Sequence, residues 1–224
     1  MNKILTIGLS ASTILAAGVA NAYVMIDDFS TGAVSNTITT GTSYTSQNGT
    51  MLGGDRIVYM EVLSNAFGLG LSVDTAMGAL TINSQSGVLG VSSVNYGLNL
   101  TGPSNTAWDD LNFDFSGETA FRVNTLSRDG DLTIVFQVRN SPNSFVAVSK
   151  TLTGSSINVA ESTVFNFSEF AGVNFSNVDQ IYVDFYTSNT GDVAVDSIDA
   201  VPEPATMVVL ASAALAAAAR RRRK

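Results

Sequence analysis

Carboxylates are the reactive groups this chain offers in quantity. Asp27-Asp28 lies near the start of its central region, and Asp196 and Asp199 lie near the end. Oxygen-only ligand sets suit Ca²⁺. First and last strands of a β-sandwich are often neighbours, so these four carboxylates could meet around a metal; otherwise they are solvated acids at strand ends. Asp129-Gly130-Asp131 resembles a fragment of a calcium loop, but the full loop spacing is missing and a turn explains it. Glu61, Glu118, Glu161 and Glu169, each with any Asp, are candidates for paired-carboxylate glycoside hydrolysis. Spacing along the chain does not set the separation such a pair needs, and with 19 acids some pair is expected by chance.

Exposed aromatic rings are the usual platform for sugars. Trp108 is the single tryptophan and sits in the polar stretch Ser104–Asp110, beside Asp109 and Asp110. A ring there could stack on a pyranose face while the carboxylates accept hydroxyl hydrogen bonds. The alternative is a ring folded back onto the sandwich edge. Tyr96, Tyr182 and Tyr186 are further aromatic candidates.

What is missing narrows the chemistry further. The chain has no histidine and no cysteine. Ser-His-Asp triads, Cys-His pairs and His-ligated zinc or haem are therefore excluded, and no disulfide holds the fold. Carboxylates, Tyr, Lys and Arg remain as acid–base groups.

The elements that position these residues begin after an export signal. Met1 to Ala22 has a positive start at Lys3, an uncharged apolar run from Ile4 to Val19, and the small-x-small pattern Ala20-Asn21-Ala22. This is the pattern of a cleavable signal helix, with Tyr23 as the first mature residue. A central region, 23–200, is long enough for one full-sized domain and short for two. One of the 19 acids and six of the 11 bases lie in the two ends, which leaves 18 acids against 5 bases between them. Such a surface repels phosphate backbones, so nucleic acid is not an expected partner.

Within 23–200 the periodicity is that of strands. Leu132, Ile134, Phe136 and Val138 alternate with more polar residues, as do Ile181, Val183 and Phe185, and these seven should face a core. Further strands are expected at 24–29, 56–63, 71–73, 79–83, 88–98, 145–152, 162–167 and 192–198. Asp129-Gly130, between the runs Phe121–Leu126 and Leu132–Arg139, is a hairpin signal. Ser30 to Gly54, rich in Thr, Ser, Gly and Asn, reads as a long loop with at most one irregular strand. No internal repeat is present; the Thr-rich piece Thr37–Thr45 never recurs at a fixed period. Roughly ten short strands with regular turns predict a single antiparallel β-sandwich.

The end of the chain carries three features in order. Val201-Pro202-Glu203-Pro204 interrupts any regular structure, Ala205 to Ala219 is an uncharged apolar helix, and Arg220, Arg221, Arg222, Arg223 and Lys224 close the sequence. About 15 apolar residues fall short of the roughly 20 that span a bilayer comfortably. The basic cluster would hold the cytoplasmic side. Residues 201–224 resemble the PEP-CTERM sorting signal of Gram-negative bacteria, through Pro202, Glu203 and Pro204, the apolar helix and the terminal arginines. The resemblance implies export by the secretion machinery, a transient inner-membrane intermediate, and removal of the tail by an exosortase-type membrane protease. It also implies delivery to the outer surface or extracellular matrix of a bacterium that makes exopolysaccharide.

The domain itself is similar to the jelly-roll domains that often precede such tails. Ile26-Asp27-Asp28-Phe29 opens it, and Phe167-Ser168-Glu169-Phe170-Ala171-Gly172, then Val178–Phe185, then Ala194–Ala200 close it. Carbohydrate-binding modules share this kind of sandwich. The expectation is an all-β, jelly-roll-like sandwich with a non-enzymatic role, structural or exopolysaccharide-binding, needing no cofactor beyond a candidate Ca²⁺. The rival is a carboxylate-dependent glycan hydrolase exported by the same route.

Overall fold

The computed structural model describes residues 23–102 and 105–202; the signal helix and the apolar tail helix expected from the sequence lie outside these. Fifteen strands are formed: β1 (Val24–Asp27), β2 (Ser35–Ile38), β3 (Thr42–Asn48), β4 (Asp55–Asn65), β5 (Leu71–Asp74), β6 (Leu80–Ser84), β7 (Val88–Tyr96), β8 (Leu98–Gly102), β9 (Asn105–Trp108), β10 (Ala120–Asp129), β11 (Leu132–Ser141), β12 (Ser144–Leu152), β13 (Glu161–Asn166), β14 (Gln180–Thr187) and β15 (Asp192–Val201). Two antiparallel sheets face each other. One has the order β13-β10-β15-β6-β5-β2, with β1 also paired to β15; the other has the order β12-β11-β14-β7-β4-β3. Strands β8 and β9 form a separate two-stranded ribbon. The chain changes sheet repeatedly after β4, as a jelly-roll-like sandwich requires.

The period-2 pattern decides which side chains fill the space between the sheets. Leu132, Ile134, Phe136, Val138, Ile181, Val183 and Phe185 are all buried, as the alternation predicts. They meet Phe121 and Val123 of β10, Phe165 of β13, and Val193, Val195, Ile198 and Ala200 of β15. The Phe121 and Phe136 rings stack across the sheets at 4.4 Å and 14°. Around them Phe115, Phe167, Phe170 and Phe175 extend one aromatic cluster.

Three local expectations change. Asp129-Gly130 is a turn, and Gly130 has the positive φ of 89° that suits glycine, but it does not close a hairpin. Strand β10 pairs with β13 and β15, whereas β11 pairs with β12 and β14, so the turn is a corner between sheets. The hairpin is made by β11 and β12, around Pro142-Asn143. Residues 30–54 hold two regular strands. Both β2 and β3 lie at sheet edges, where one neighbour suffices and polar residues are tolerated. The run 88–98 is not one strand, because the chain leaves the sheet at Gly97. Gly97 has φ 79°, and a Cβ there would collide with the Asp179 carbonyl. The exit at Gly97 sends β8 and β9 out as the ribbon.

At the end of β1 lies a buried ionic network. Arg56, with no exposed surface, donates to both oxygens of Asp27, at 2.8 and 2.6 Å, and to Gln47 Oε1 at 2.6 Å. It also donates to the carbonyls of Thr31 and Gly32. The buried Tyr96 hydroxyl donates to Asp27 Oδ2 at 2.8 Å. A buried charge needs a partner and filled hydrogen-bonding capacity, and this network supplies both.

Candidate functional site

The outer face of the six-stranded sheet is polar and aromatic where its inner face is apolar. Register places these side chains in rows across the strands. Tyr44 lies opposite Tyr59, Tyr59 opposite Ser93, and Ser93 opposite Asp184. The next row holds Glu61, Val91 and Tyr186, and the row on the other side holds Asn95, Tyr182 and Gln137. Arg139 stands one step further along β11, opposite Phe145 of β12. Leu98 of β8 and Thr106 of β9 bring the ribbon alongside, and together these residues line a groove of about 250 Å³.

The groove's groups are largely pre-arranged. The Tyr44 and Tyr59 rings pack at 4.7 Å, tilted by 42°. The Tyr59 hydroxyl donates to Glu61 Oε2 at 2.5 Å, and burial together with this carboxylate pushes the phenol well above its ordinary pKa. Ser93 Oγ donates to Asp184 Oδ1 at 2.5 Å, and Gln137 Nε2 donates more weakly to Asp184 Oδ2 at 3.4 Å. Burial raises the Asp184 pKa, while the Ser93 and Gln137 hydrogen bonds and Arg139 pull it back. Burial likewise raises Tyr182 and Tyr186. These phenols therefore stay neutral at ordinary pH; the Tyr59 hydroxyl donates to Glu61 and the Tyr182 hydroxyl to Gln180 Oε1 at 3.1 Å, while Tyr186 can donate to a ligand. Asn95 Oδ1 and Arg139 Nε are buried in this face with no hydrogen-bond partner among the described residues.

Such an arrangement suits a polyhydroxylated ligand. Tyrosine faces offer apolar contact with some polar character. Asp184, Glu61 and Asn95 are acceptors for hydroxyl groups, and Gln137 and Arg139 are donors.

Of the residues expected from sequence, Tyr182 and Tyr186 belong to this groove and Tyr96 does not, being buried against Asp27. Trp108, Asp109 and Asp110 lie on the ribbon and the segment after it, outside the groove lining. Trp108 is half-buried and its indole N–H donates to Asp110, while Asp109 accepts from Asn99 at 2.6 Å. Tyr44 and Tyr59 were not among the sequence candidates. The signal that could have found them is an outward aromatic on each of two successive strands, but it acquires meaning only once register is known.

The four aspartates do not gather into a metal site. Asp27 and Asp199 are on neighbouring strands, as expected of first and last strands, yet each holds an arginine: Arg56 for Asp27 and Arg122 for Asp199, at 2.9 Å. Asp28 caps Ser30 through its backbone and hydroxyl, and Asp196 is exposed. Among the described residues no group of three or more acidic side chains is placed to hold a metal ion. Of the glutamates weighed for hydrolysis, Glu161 is bound to Arg128 and Glu169 to Lys150, and Glu118 is not in the groove. Glu61 is, and its companion there is Asp184.

At the end of β15 the folded chain runs straight into the tail. The Val201 carbonyl accepts from the Thr119 N–H at 2.9 Å, and Pro202 follows. Residues 200–224 match the PEP-CTERM protein-sorting motif. The protein is therefore an exported one, sorted through the membrane by way of this tail. Ala20 and Ala22 of the signal, Glu203 and Pro204 of the motif, and Arg220 to Lys224 lie outside the described residues; Tyr23 is exposed just before β1. No helix among the described residues is long and apolar enough to cross a membrane.

No curated protein matches the chain. Solved structures of similar fold include a family 11 carbohydrate-binding module from Clostridium thermocellum in complex with a β-1,3-1,4-mixed-linked tetrasaccharide. It is 17% identical with a TM-score of 0.40, over 80% of this chain and 95% of that one. A family 29 carbohydrate-binding module is 16% identical with a TM-score of 0.36, over 75% and 88%. A third, TmCBM61 in complex with β-1,4-galactotriose, is 11% identical with a TM-score of 0.32, over 56% and 70%. At such scores the likeness carries nothing about this chain's own ligand.

Proposed function

We propose that this is a non-enzymatic glycan-binding protein of the outer surface or extracellular matrix, freed from the membrane by an exosortase-type protease and associated there with exopolysaccharide. The groove on the six-stranded sheet is its binding face. The observation that carries this reading is the row of Tyr44, Tyr59, Ser93 and Asp184, flanked by Glu61, Tyr182 and Tyr186. Rings for stacking and acceptors for hydroxyls share one solvent-facing groove. Their positions are fixed by a rigid sheet rather than by loops, so little side-chain order is lost on binding.

The test is affinity electrophoresis of the exported protein in gels containing soluble glycans, among them the host's own exopolysaccharide. Retardation is expected with at least one. Tyr59→Ala should weaken it about tenfold, in line with the loss of one well-packed aromatic contact, while leaving the melting temperature near that of the parent. Absence of retardation by every glycan would overturn the reading. Glu61 and Asp184 share the groove, so a reducing-sugar assay on the same glycans reads the rival, a carboxylate-dependent hydrolase; no release is expected.

A further inference from the structure

We propose that the Arg139 end of the groove is a carboxylate subsite, and that the glycan taken there is acidic, carrying uronic acid or another sugar-borne carboxylate. This rests on the glycan-binding reading above and names the ligand class.

The domain has five basic residues among 18 acids. Four are committed: Arg56 to Asp27 at 2.6 Å, Arg122 to Asp199 at 2.9 Å, Arg128 to Glu161 at 2.9 Å and Lys150 to Glu169 at 3.0 Å. Among the described residues Arg139 alone of the five makes no ion pair, although acids outnumber bases more than three to one. Its Nε is buried without a hydrogen-bond partner among the described residues. A buried donor left unpaired is costly and asks for an explanation.

Arg139 is also held in a defined orientation. Its guanidinium lies 4.7 Å from the centre of the Tyr182 ring and 5.2 Å from that of Phe145. Two aromatic faces hold the planar group and leave its terminal Nη donors to a ligand. A fork of parallel donors fits a carboxylate in two-point contact, which a single hydroxyl cannot use.

The excess of acid elsewhere does not cancel this. Glu61 shares a row with Tyr186 and Thr133, six residues from Arg139 along β11. That is about 20 Å along the strand, roughly two screening lengths at physiological salt. Asp184 and Asp179, whose N–H donates to the Arg139 carbonyl, are nearer and offset part of the charge, but their carboxylates already accept from Ser93, Gln137 and Asn177. The groove thus has a basic end, where a carboxylate can bind, and an acidic end suited to neutral hydroxyls.

The test uses polygalacturonate, its fully methyl-esterified form with the same backbone, and a neutral mixed-linked β-glucan in affinity gels at 20 mM and 300 mM NaCl. The wild-type protein should bind the acid form about tenfold more tightly than the ester, with the advantage reduced at high salt. Arg139→Gln should remove the advantage, so that acid and ester are bound equally. Arg139→Lys keeps the charge and should retain part of it, which separates charge recognition from a loss of packing. Equal binding of acid and ester, or an advantage that survives Arg139→Gln, would overturn the carboxylate subsite while leaving the glycan-binding groove intact. Failure to bind any of the three, or the host's own exopolysaccharide run beside them, would overturn both.

Discussion

Val24 on the first strand pairs with Ala200 on the last, so the two ends of the domain leave the sandwich side by side. Each end is anchored within a few residues of this pair. Ile26 and Phe29 are fully buried on one side, and the Val201 carbonyl is bound by Thr119 on the other. Pro202 has no N–H with which to extend the ladder. A chain ending at Pro202 should therefore melt at the same temperature as the chain carrying its tail. A chain starting at Ser30 loses Ile26, Asp27 and Phe29 together and should not fold. Circular dichroism melts of the two truncations check both, and a large drop for the first would show that the tail supports the fold.

The Asp27–Arg56 network makes a second prediction. Removing one partner of a buried pair strands the other charge, at a cost of about 3–5 kcal/mol. Asp27→Ala should lower the unfolding free energy by that order in urea titrations; a change under about 1 kcal/mol would mean the pair behaves as if it were at the surface. Because Asp27 and Asp199 are taken by arginines, calcium and chelator should give equal melting curves. A rise in melting temperature with calcium would mean that these carboxylates exchange arginine for metal.

The sandwich was legible because alternation is a local signal. Leu132 to Val138 and Ile181 to Phe185 announce their buried face residue by residue, and each is buried. Asp129-Gly130 was legible as a turn but not as a corner, since turn chemistry is the same whether the next strand joins the same sheet or the opposite one. Strands β2 and β3 were hidden because edge strands carry no apolar alternation. The groove was half visible. Tyr182 and Tyr186 lie two steps apart on the same face of one strand, but Tyr44, Tyr59 and Arg139 join them only through pairing of strands distant in sequence. Arg56 gave no sign of burial, because its charge argues for the surface until Asp27, Gln47 and Tyr96 are known to surround it.

Asp184 predicts a pH dependence. Burial lifts its pKa above the ordinary 3.8 in the folded state. Between the ordinary and the raised value the folded form holds more protons than the unfolded one, so this group's contribution to stability falls as pH rises through that window and is flat above it. The lowered pKa values of Glu161 and Glu169, set first by hydrogen bonds from Arg128 and Lys150, act in the opposite direction. Comparing wild type with Asp184→Asn cancels these. The stability of wild type relative to the variant should fall as pH rises from below 3.8 and then level off. A relative stability that climbs over the same range would mean that Ser93, Gln137 and Arg139 outweigh burial.

The tail should be temporary. Its uncharged run, Ala205 to Ala219, is about 15 residues, short of the roughly 20 of a firm anchor and rich in alanine. Pro202 and Pro204 flank Glu203, and proline on both sides disfavours helix and ladder, so a protease should find this stretch open. The fold adds a boundary on the other side, since the chain is hydrogen-bonded to Thr119 up to Val201. A protease cutting between that bond and the apolar run has only a few residues to work on. In a host with the sorting machinery, intact-mass analysis of the mature protein should therefore give Tyr23 as the first residue and an end near 202–204, without Arg220 to Lys224. Glu203→Ala should slow removal, because the only charge in the motif is lost. Deleting Arg220 to Lys224 should let the short apolar run pass through the membrane uncut, because no basic cluster remains to hold the cytoplasmic side. Recovery of the surface protein with all five basic residues attached would replace the sorting route with a simple membrane anchor.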